Sequence, residues 1–160
     1  MHELGWCFQT EPDMQDFRKL KVWRKSFRLS IDIERVIETG PKWRYPKTRN
    51  QTLRAAASIG DTIAEGCGKL SPLELARYCD MASGSAKELL NHLLRARALG
   101  CLSREKFREF EARIDEIRRM LWSLAASVRR KYGRKRPGKR GKPKRKPPLP
   151  SDPPNEGMEP

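Results

Sequence analysis

The chain has 160 residues, with 35 Lys and Arg against 20 Asp and Glu, so its formal net charge is +15 and its isoelectric point is about 10.2. No apolar run approaches the roughly 18 residues of a membrane span and no signal-peptide pattern opens the chain, which favours one basic domain in the cytoplasm. The four cysteines lie far apart without a Cys-x-x-Cys pair, which argues against a zinc site or a disulfide framework.

The N-terminal residues 1–13 show no periodic pattern and contain a proline. We expect them to form an unstructured extension ahead of a domain that spans residues 14–130. Either Met1 or Met14 is the true start of the protein.

The first helix is predicted from about Asp16 to Thr39, and it carries two apolar faces. The face expected in the domain core consists of Leu20, Trp23, Phe27 and Ile31. A helix with a second apolar face must be buried twice, so we predict an oligomer interface at Val22, Leu29, Ile33 and Val36. Between the faces lies a basic stripe that is either a solvated surface or a phosphate-binding one: Arg18, Lys21, Arg24, Lys25 and Arg28.

A loop that alternates basic and aromatic residues follows this helix, from Pro41 to Lys47. Its Lys42, Trp43 and Arg44 are a candidate platform on which nucleic-acid bases stack. Alternatively, the loop folds its rings over the end of the domain.

The second and third helices have clear boundaries in the sequence. The second is predicted from Lys47 to Glu65, ended by Gly66 and Gly68, with mostly small inward residues that allow close approach of a neighbouring backbone. The third begins at Ser71-Pro72-Leu73-Glu74, which matches a capping box with proline in the first helical position.

Sustained heptads occupy the third and fourth helices. In the third helix, which Gly100 ends, the apolar positions are Leu75, Cys79, Ala82, Ala86, Leu89, Leu93 and Ala96. In the fourth, which begins after Ser103, they are Phe107, Phe110, Ile114, Ile117, Leu121, Leu124 and Val128. Such heptads are typical of helices that cross at a shallow angle. The pattern predicts an all-α, up-and-down antiparallel four-helix bundle.

The C-terminal residues 131–160 are predicted to be a disordered tail, first basic and then rich in proline. The segment Arg129–Lys146 has twelve Lys or Arg in eighteen residues and no acid, so it finds enough counter-charge only on a polyanion. RNA and DNA fit best, an anionic membrane surface fits less well, and a purely solubilising role is the alternative. The candidate nucleic-acid contacts are Arg129, Arg130, Lys131, Arg134, Lys135, Arg136, Lys139 and Arg140.

No motif in the chain indicates catalysis. Phosphate-binding glycine loops are missing, and the pair Glu88 and His92 is more typical of a helix surface than of a metal site. Ser58 and Ser85 have no histidine in a recognisable arrangement. We therefore expect no enzyme, cofactor, metal or small-molecule substrate.

Four blocks resemble the bacterial four-helix bundle proteins first noticed as products of intervening sequences in large-subunit ribosomal RNA genes. They are MQDFRKLKVWRKS at 14–26, RAAASIGDTIAEGCGK at 54–69, GSAKELLNHLLRARALG at 84–100, and the LS-E-F spacing at 102–107. The chain departs from the usual family sequence at Ser58–Gly66, where a Pro and an Asn are replaced. The match favours Met14 as the start.

The resemblance implies a homopentameric barrel of bundles without enzymatic activity. It also implies kinship with the accessory variability determinant of diversity-generating retroelements, a basic pentamer that binds a reverse transcriptase and nucleic acid. We therefore expect a non-enzymatic RNA- or DNA-binding accessory protein that assists a reverse transcriptase–RNA complex. The alternatives are an intervening-sequence protein of unknown role and a protein-interaction scaffold with a solubilising tail.

Overall fold

The computed structural model of the chain describes residues 16–40 and 43–133, and this part is all-helical. A single 3₁₀ turn, Phe17–Lys19, precedes four helices: α1 Lys21–Thr39, α2 Pro46–Cys67, α3 Pro72–Ala98 and α4 Arg104–Tyr132. The predicted fold class and the approximate bounds of all four helices are confirmed. The predicted extension 1–13 and the tail after Gly133 lie outside the described residues, whereas residues 131 and 132, predicted in the tail, belong to α4.

Local chemistry explains most of the helix ends. Asp16 caps the 3₁₀ turn by accepting a hydrogen bond from the Arg18 amide at 3.0 Å, and Ser103 caps α4 in the same way through the Lys106 amide at 3.2 Å. Gly100 ends α3 with φ of 69°, which allows the Cys101 amide to donate to Ala96 O at 2.8 Å.

The predicted capping box at the start of α3 does not form. Pro72 occupies the first turn as expected, but the Ser71 side chain makes no capping hydrogen bond. Glu74 instead accepts a hydrogen bond from Arg77 Nε at 3.1 Å, so its carboxylate does not reach back to the Ser71 amide.

Neighbouring helices run antiparallel. Along the seam between α1 and α4, Lys25 pairs with Glu116 and the later Asp32 pairs with the earlier Arg113, so the two helices run in opposite directions. Likewise the start of α3 contacts the end of α4, where Arg129 donates to Ala76 O at 3.4 Å. Within the described residues each helix contacts two others and none contacts its diagonal neighbour, which is the arrangement of a four-helix bundle.

The core follows the heptads of α3 and α4. Every predicted apolar position of α3 is buried, and in α4 the positions from Phe107 to Leu121 are buried while Leu124 and Val128 are partly buried. Across from them, α2 contributes small residues and two isoleucines: Ala55, Ala56, Ile59, Gly60 and Ile63. The small residues let α1 approach closely, since a Cβ on Gly60 would touch Ser26 Oγ at 3.6 Å.

The face of α1 that the sequence predicted at an oligomer interface lies in the core of the bundle instead. Val22, Leu29 and Ile33, predicted at an oligomer interface, are buried in the core, and Val36 packs against it. On the face predicted to be inside, Phe27 is 49% exposed. Leu20 and Trp23 of that face are partly buried and pack against the core, and Trp23 Nε1 would lie 3.7 Å from a Cβ on Gly60 of α2. The smaller side chains of the other face fill the core, and the ring of Phe27 remains at the surface.

Candidate nucleic-acid interface

The outer surface of α1 carries the predicted basic stripe. All five side chains are exposed, but Arg18 Nε bonds Asp16 at 2.9 Å and Lys25 Nζ lies 2.8 Å from Glu116 Oε1. The ion pair raises the pKa of Arg18 and lowers the pKa of Asp16. Three cations form no ion pair with any described residue, and we call them the α1 row: Lys21, Arg24 and Arg28. Their spacing places them on one face of the helix.

The loop between α1 and α2 does not present Trp43 as an open platform. The Trp43 ring packs against the core and lies close to Gly40, where an added Cβ would be 3.3 Å from Trp43 Cδ1. Trp43 therefore folds over the end of the bundle, which is the alternative that the sequence left open. Arg44 and Tyr45 are exposed beside it, and Lys42 lies outside the described residues.

At the end of α4, one of the cations predicted to bind nucleic acid contacts other residues of the bundle. Arg129 forms an ion pair with Asp80 and donates to the Ala76 carbonyl. Arg130 is exposed, and Lys131 Nζ lies 5.0 Å from the centre of the Tyr132 ring. The remaining predicted contacts lie outside the described residues: Arg134, Lys135, Arg136, Lys139 and Arg140.

The two ends of the described chain lie together. Asp16 and Lys19 line the same cleft as Val128 and Tyr132. The residues after Gly133 therefore start from the end of the bundle where α1 begins, and the basic segment is connected at the same end as the α1 row.

A surface groove runs between α1 and α2. Its volume is about 440 Å³, and Phe17, Trp23, Phe27, Ile31 and Leu53 line it. The rings of Trp23 and Phe27 stack at 5.2 Å, and Phe17 meets Trp23 edge-on at 4.8 Å. Glu34 and Asp61 also line the groove and pair with no described cation. The groove is the unpartnered apolar face of α1.

A second aromatic feature is Trp122, to which the sequence interpretation assigned no site. Its side chain lies on α4 away from the core stripe and is 74% exposed, the most of any described aromatic residue. Its position outside the 3-4 heptad spacing of α4, three residues after Arg119, was the signal that could have found it.

The sequence that forms these features matches a recognised protein family. A family model described as 23S rRNA-intervening sequence protein matches residues 18–123, well over half of the chain. The chain belongs to this family. No curated protein matches the chain. The match to the 23S rRNA-intervening sequence protein includes the α1 row and Trp122, and it ends before Arg129–Lys146.

The described cysteines in this member of the 23S rRNA-intervening sequence protein family are buried. Burial raises the pKa of Cys79 to about 12 and raises the pKa of Cys67, so neither forms a thiolate near neutral pH. The Ser58 and Ser85 hydroxyls bond each other at 3.0 Å. Among the described residues, no group of three or more His, Cys, Asp or Glu could hold a metal ion, and no helix is long and apolar enough to cross a membrane.

Proposed function

We propose that this chain is a non-enzymatic accessory protein that binds the phosphates of RNA or DNA. The observation that carries the proposal is the α1 row, whose three cations lack acidic partners in the described structure. Such cations bind phosphate by releasing its condensed counter-ions, which gives affinity without sequence preference.

The connection of the C-terminal segment supports one continuous basic region. Because Tyr132 and Asp16 line the same cleft, Arg129–Lys146 is attached at the end of the bundle where Lys21 lies. The basic segment and the α1 row can therefore contact one bound strand.

Salt titration tests the proposal. If 6–10 phosphates are contacted, affinity for a 20-nucleotide single-stranded RNA should fall by about 10²–10⁴ between 50 and 200 mM salt. Replacing the α1 row with glutamine should reduce the slope of log K against log salt by up to about 2. The matched control replaces Arg35, Arg77 and Lys106, which are each paired with an acid, and should change the slope less. A flat salt response of the full chain would refute nucleic-acid binding.

The partner that we propose within this function is a reverse transcriptase–RNA complex. Its support is the sequence resemblance to the accessory variability determinant. The rival is an intervening-sequence protein of unknown role, which is closer to the description of the matching family. A neighbouring reverse transcriptase gene with a template repeat would favour the first role, and an adjacent ribosomal RNA gene would favour the second.

Self-association into a pentamer is also part of the proposal, and the α1/α2 groove is the surface that we assign to it. The occupant that we propose is a second copy of the chain. The groove combines the exposed Phe27 and the partly buried rings of Phe17 and Trp23 with two acids that form no ion pair in the described structure, Glu34 and Asp61. A copy of this strongly basic chain offers apolar and cationic groups that complement both.

A further inference from the structure

The exposed Trp122 lies in a cleft between α3 and α4 that the proposed function has not yet used. The cleft has a volume of about 520 Å³, and its lining residues are Ser83, Asp115, Arg118, Arg119, Trp122 and Ser123. Trp122 is the single apolar side chain among them. One wall of the cleft is therefore an open aromatic face, and the rest is polar or charged.

Trp122 is not part of the described core of the bundle. The core stripe of α4 is complete without it, since Phe107, Phe110, Ile114, Ile117 and Leu121 are all buried. An exposed indole keeps a large apolar surface in water, which is unfavourable unless a partner covers it. The cleft alone has six lining residues, fewer than the roughly 20–30 residues on each side of a standard protein interface.

Two arginines one turn earlier on α4 set the charge of the cleft. Arg118 Nη1 bonds Asp115 Oδ1 at 3.1 Å, and its Nε is buried without a hydrogen-bond partner in the described structure. Arg119 is exposed and forms no ion pair with described residues. An occupant that fits has a flat ring for the indole and an anionic group for the guanidinium.

We propose that an unpaired base of single-stranded nucleic acid stacks on Trp122 while its phosphate contacts Arg119. This inference rests on the proposed nucleic-acid binding and adds a preference for single strands over duplexes. Every base has a face that can stack, so the contact is tolerant of sequence. Along α4, the 11 residues from Trp122 to Gly133 span about 17 Å, so a bound strand that leaves the cleft towards the helix end meets the C-terminal cations.

The test compares affinities of the full chain for a 12-nucleotide single-stranded RNA and a 12-base-pair RNA duplex. Trp122→Ala should weaken single-strand binding by about fivefold to a hundredfold, and it should change duplex binding less than twofold. Trp122→Phe, which keeps a ring, should recover much of the loss. Met81→Ala removes another exposed apolar side chain on the neighbouring helix and should leave both affinities unchanged.

Three outcomes overturn the inference. Equal single-strand binding by the wild type and Trp122→Ala would show that the indole contacts no base. Equal loss for both nucleic acids, or a change of oligomeric mass in Trp122→Ala, would place Trp122 at a different contact. If the wild-type chain binds neither nucleic acid at low salt, the proposed function fails as well, and this result is distinct from the first two.

Discussion

Where α2 and α3 come closest, a glycine faces an aromatic side chain. A Cβ on Gly66 would lie 2.6 Å from Tyr78 Cβ and 3.1 Å from its Cγ. Tyr78 is held in place, because its hydroxyl donates to Glu65 Oε1 at 2.7 Å and Lys69 Nζ lies 5.2 Å from the ring centre. Lys69 Nζ also lies 3.1 Å from Glu65 Oε1. The hydrogen bonds from Tyr78 and from Lys69 lower the pKa of Glu65.

Gly66→Ala should therefore destabilise the bundle even though alanine favours helices. Overpacking costs about 1–3 kcal/mol, which outweighs the gain of about 1 kcal/mol in helix propensity. The matched control is Gly84→Ala in α3, where no atom lies within 4 Å of the added methyl group. It should raise the free energy of unfolding by about 1 kcal/mol. Urea unfolding of both variants measures the difference, and two changes of the same sign would contradict this account.

At the same scale, single residues were the least predictable part of the chain. The sequence interpretation placed Gly66 beyond the helix, because a glycine reads as a helix end when its packing partner is unknown. In the structure α2 continues to Cys67 and Gly66 is buried. Trp43 was ambiguous for a similar reason, since only the contact with Gly40 shows that its ring folds onto the bundle.

Among the elements, α1 differs most from the others in how it is attached. It buries Val22, Leu29 and Ile33 against α2 and the core, whereas its seam with α4 also uses ion pairs, with Arg113 Nη2 2.8 Å from Asp32 Oδ2. Exposed ion pairs contribute little free energy each. The apolar residues of α1 therefore account for most of its attachment, and its other face remains available.

Substitutions of Phe27 and Leu29 test the two faces of α1 separately. Leu29→Glu should unfold the protein, because it places a carboxylate in a fully buried position at a cost of several kcal/mol. Phe27→Glu should keep the helical circular dichroism and lower the mass measured by light scattering if the groove joins copies. If Phe27→Glu remains an oligomer of the wild-type mass, the groove is not part of the interface. A wild type that is monomeric would refute self-association.

The order and length of the elements could be predicted because α3 and α4 each have one apolar stripe. For α1 the sequence contains two stripes of similar strength, and periodicity cannot say which one faces the bundle. The larger aromatic side chains favoured the wrong choice. Ser26, on the face of Val22 and Leu29, was the signal that pointed the other way, since its small side chain is fully buried and allows close contact with Gly60 of α2.

For the molecule as a whole, the excess of positive charge is divided between the folded bundle and the C-terminal residues. Removing residues 134–160 deletes nine Lys and Arg and three acids. The α1 row, Arg119 and Arg130 remain on the bundle. The two parts make separable contributions to binding, since each neutralised phosphate of a single strand adds about 0.7 to the salt slope.

A chain that ends at Gly133 should keep its stability and still bind RNA, with a weaker affinity and a smaller salt slope. The described core contains no residue beyond Leu124 and Val128 at the end of α4, so the melting temperature should change by less than about 2 °C. Binding at 50 and 200 mM salt gives the slope. Complete loss of binding would show that the bundle contributes no phosphate contacts, and an unchanged slope would show that the deleted segment contributes none.

Because Asp16 and Tyr132 line the same cleft, the two ends of the described chain lie close together. A short linker between these two residues would allow new termini in the α3–α4 connection near Gly100, with every helix keeping its neighbours. Such a circular permutant would carry added segments at the opposite end of the bundle. The position of a basic tail relative to the α1 row therefore depends on where the chain has its termini, and it is independent of how the four helices pack.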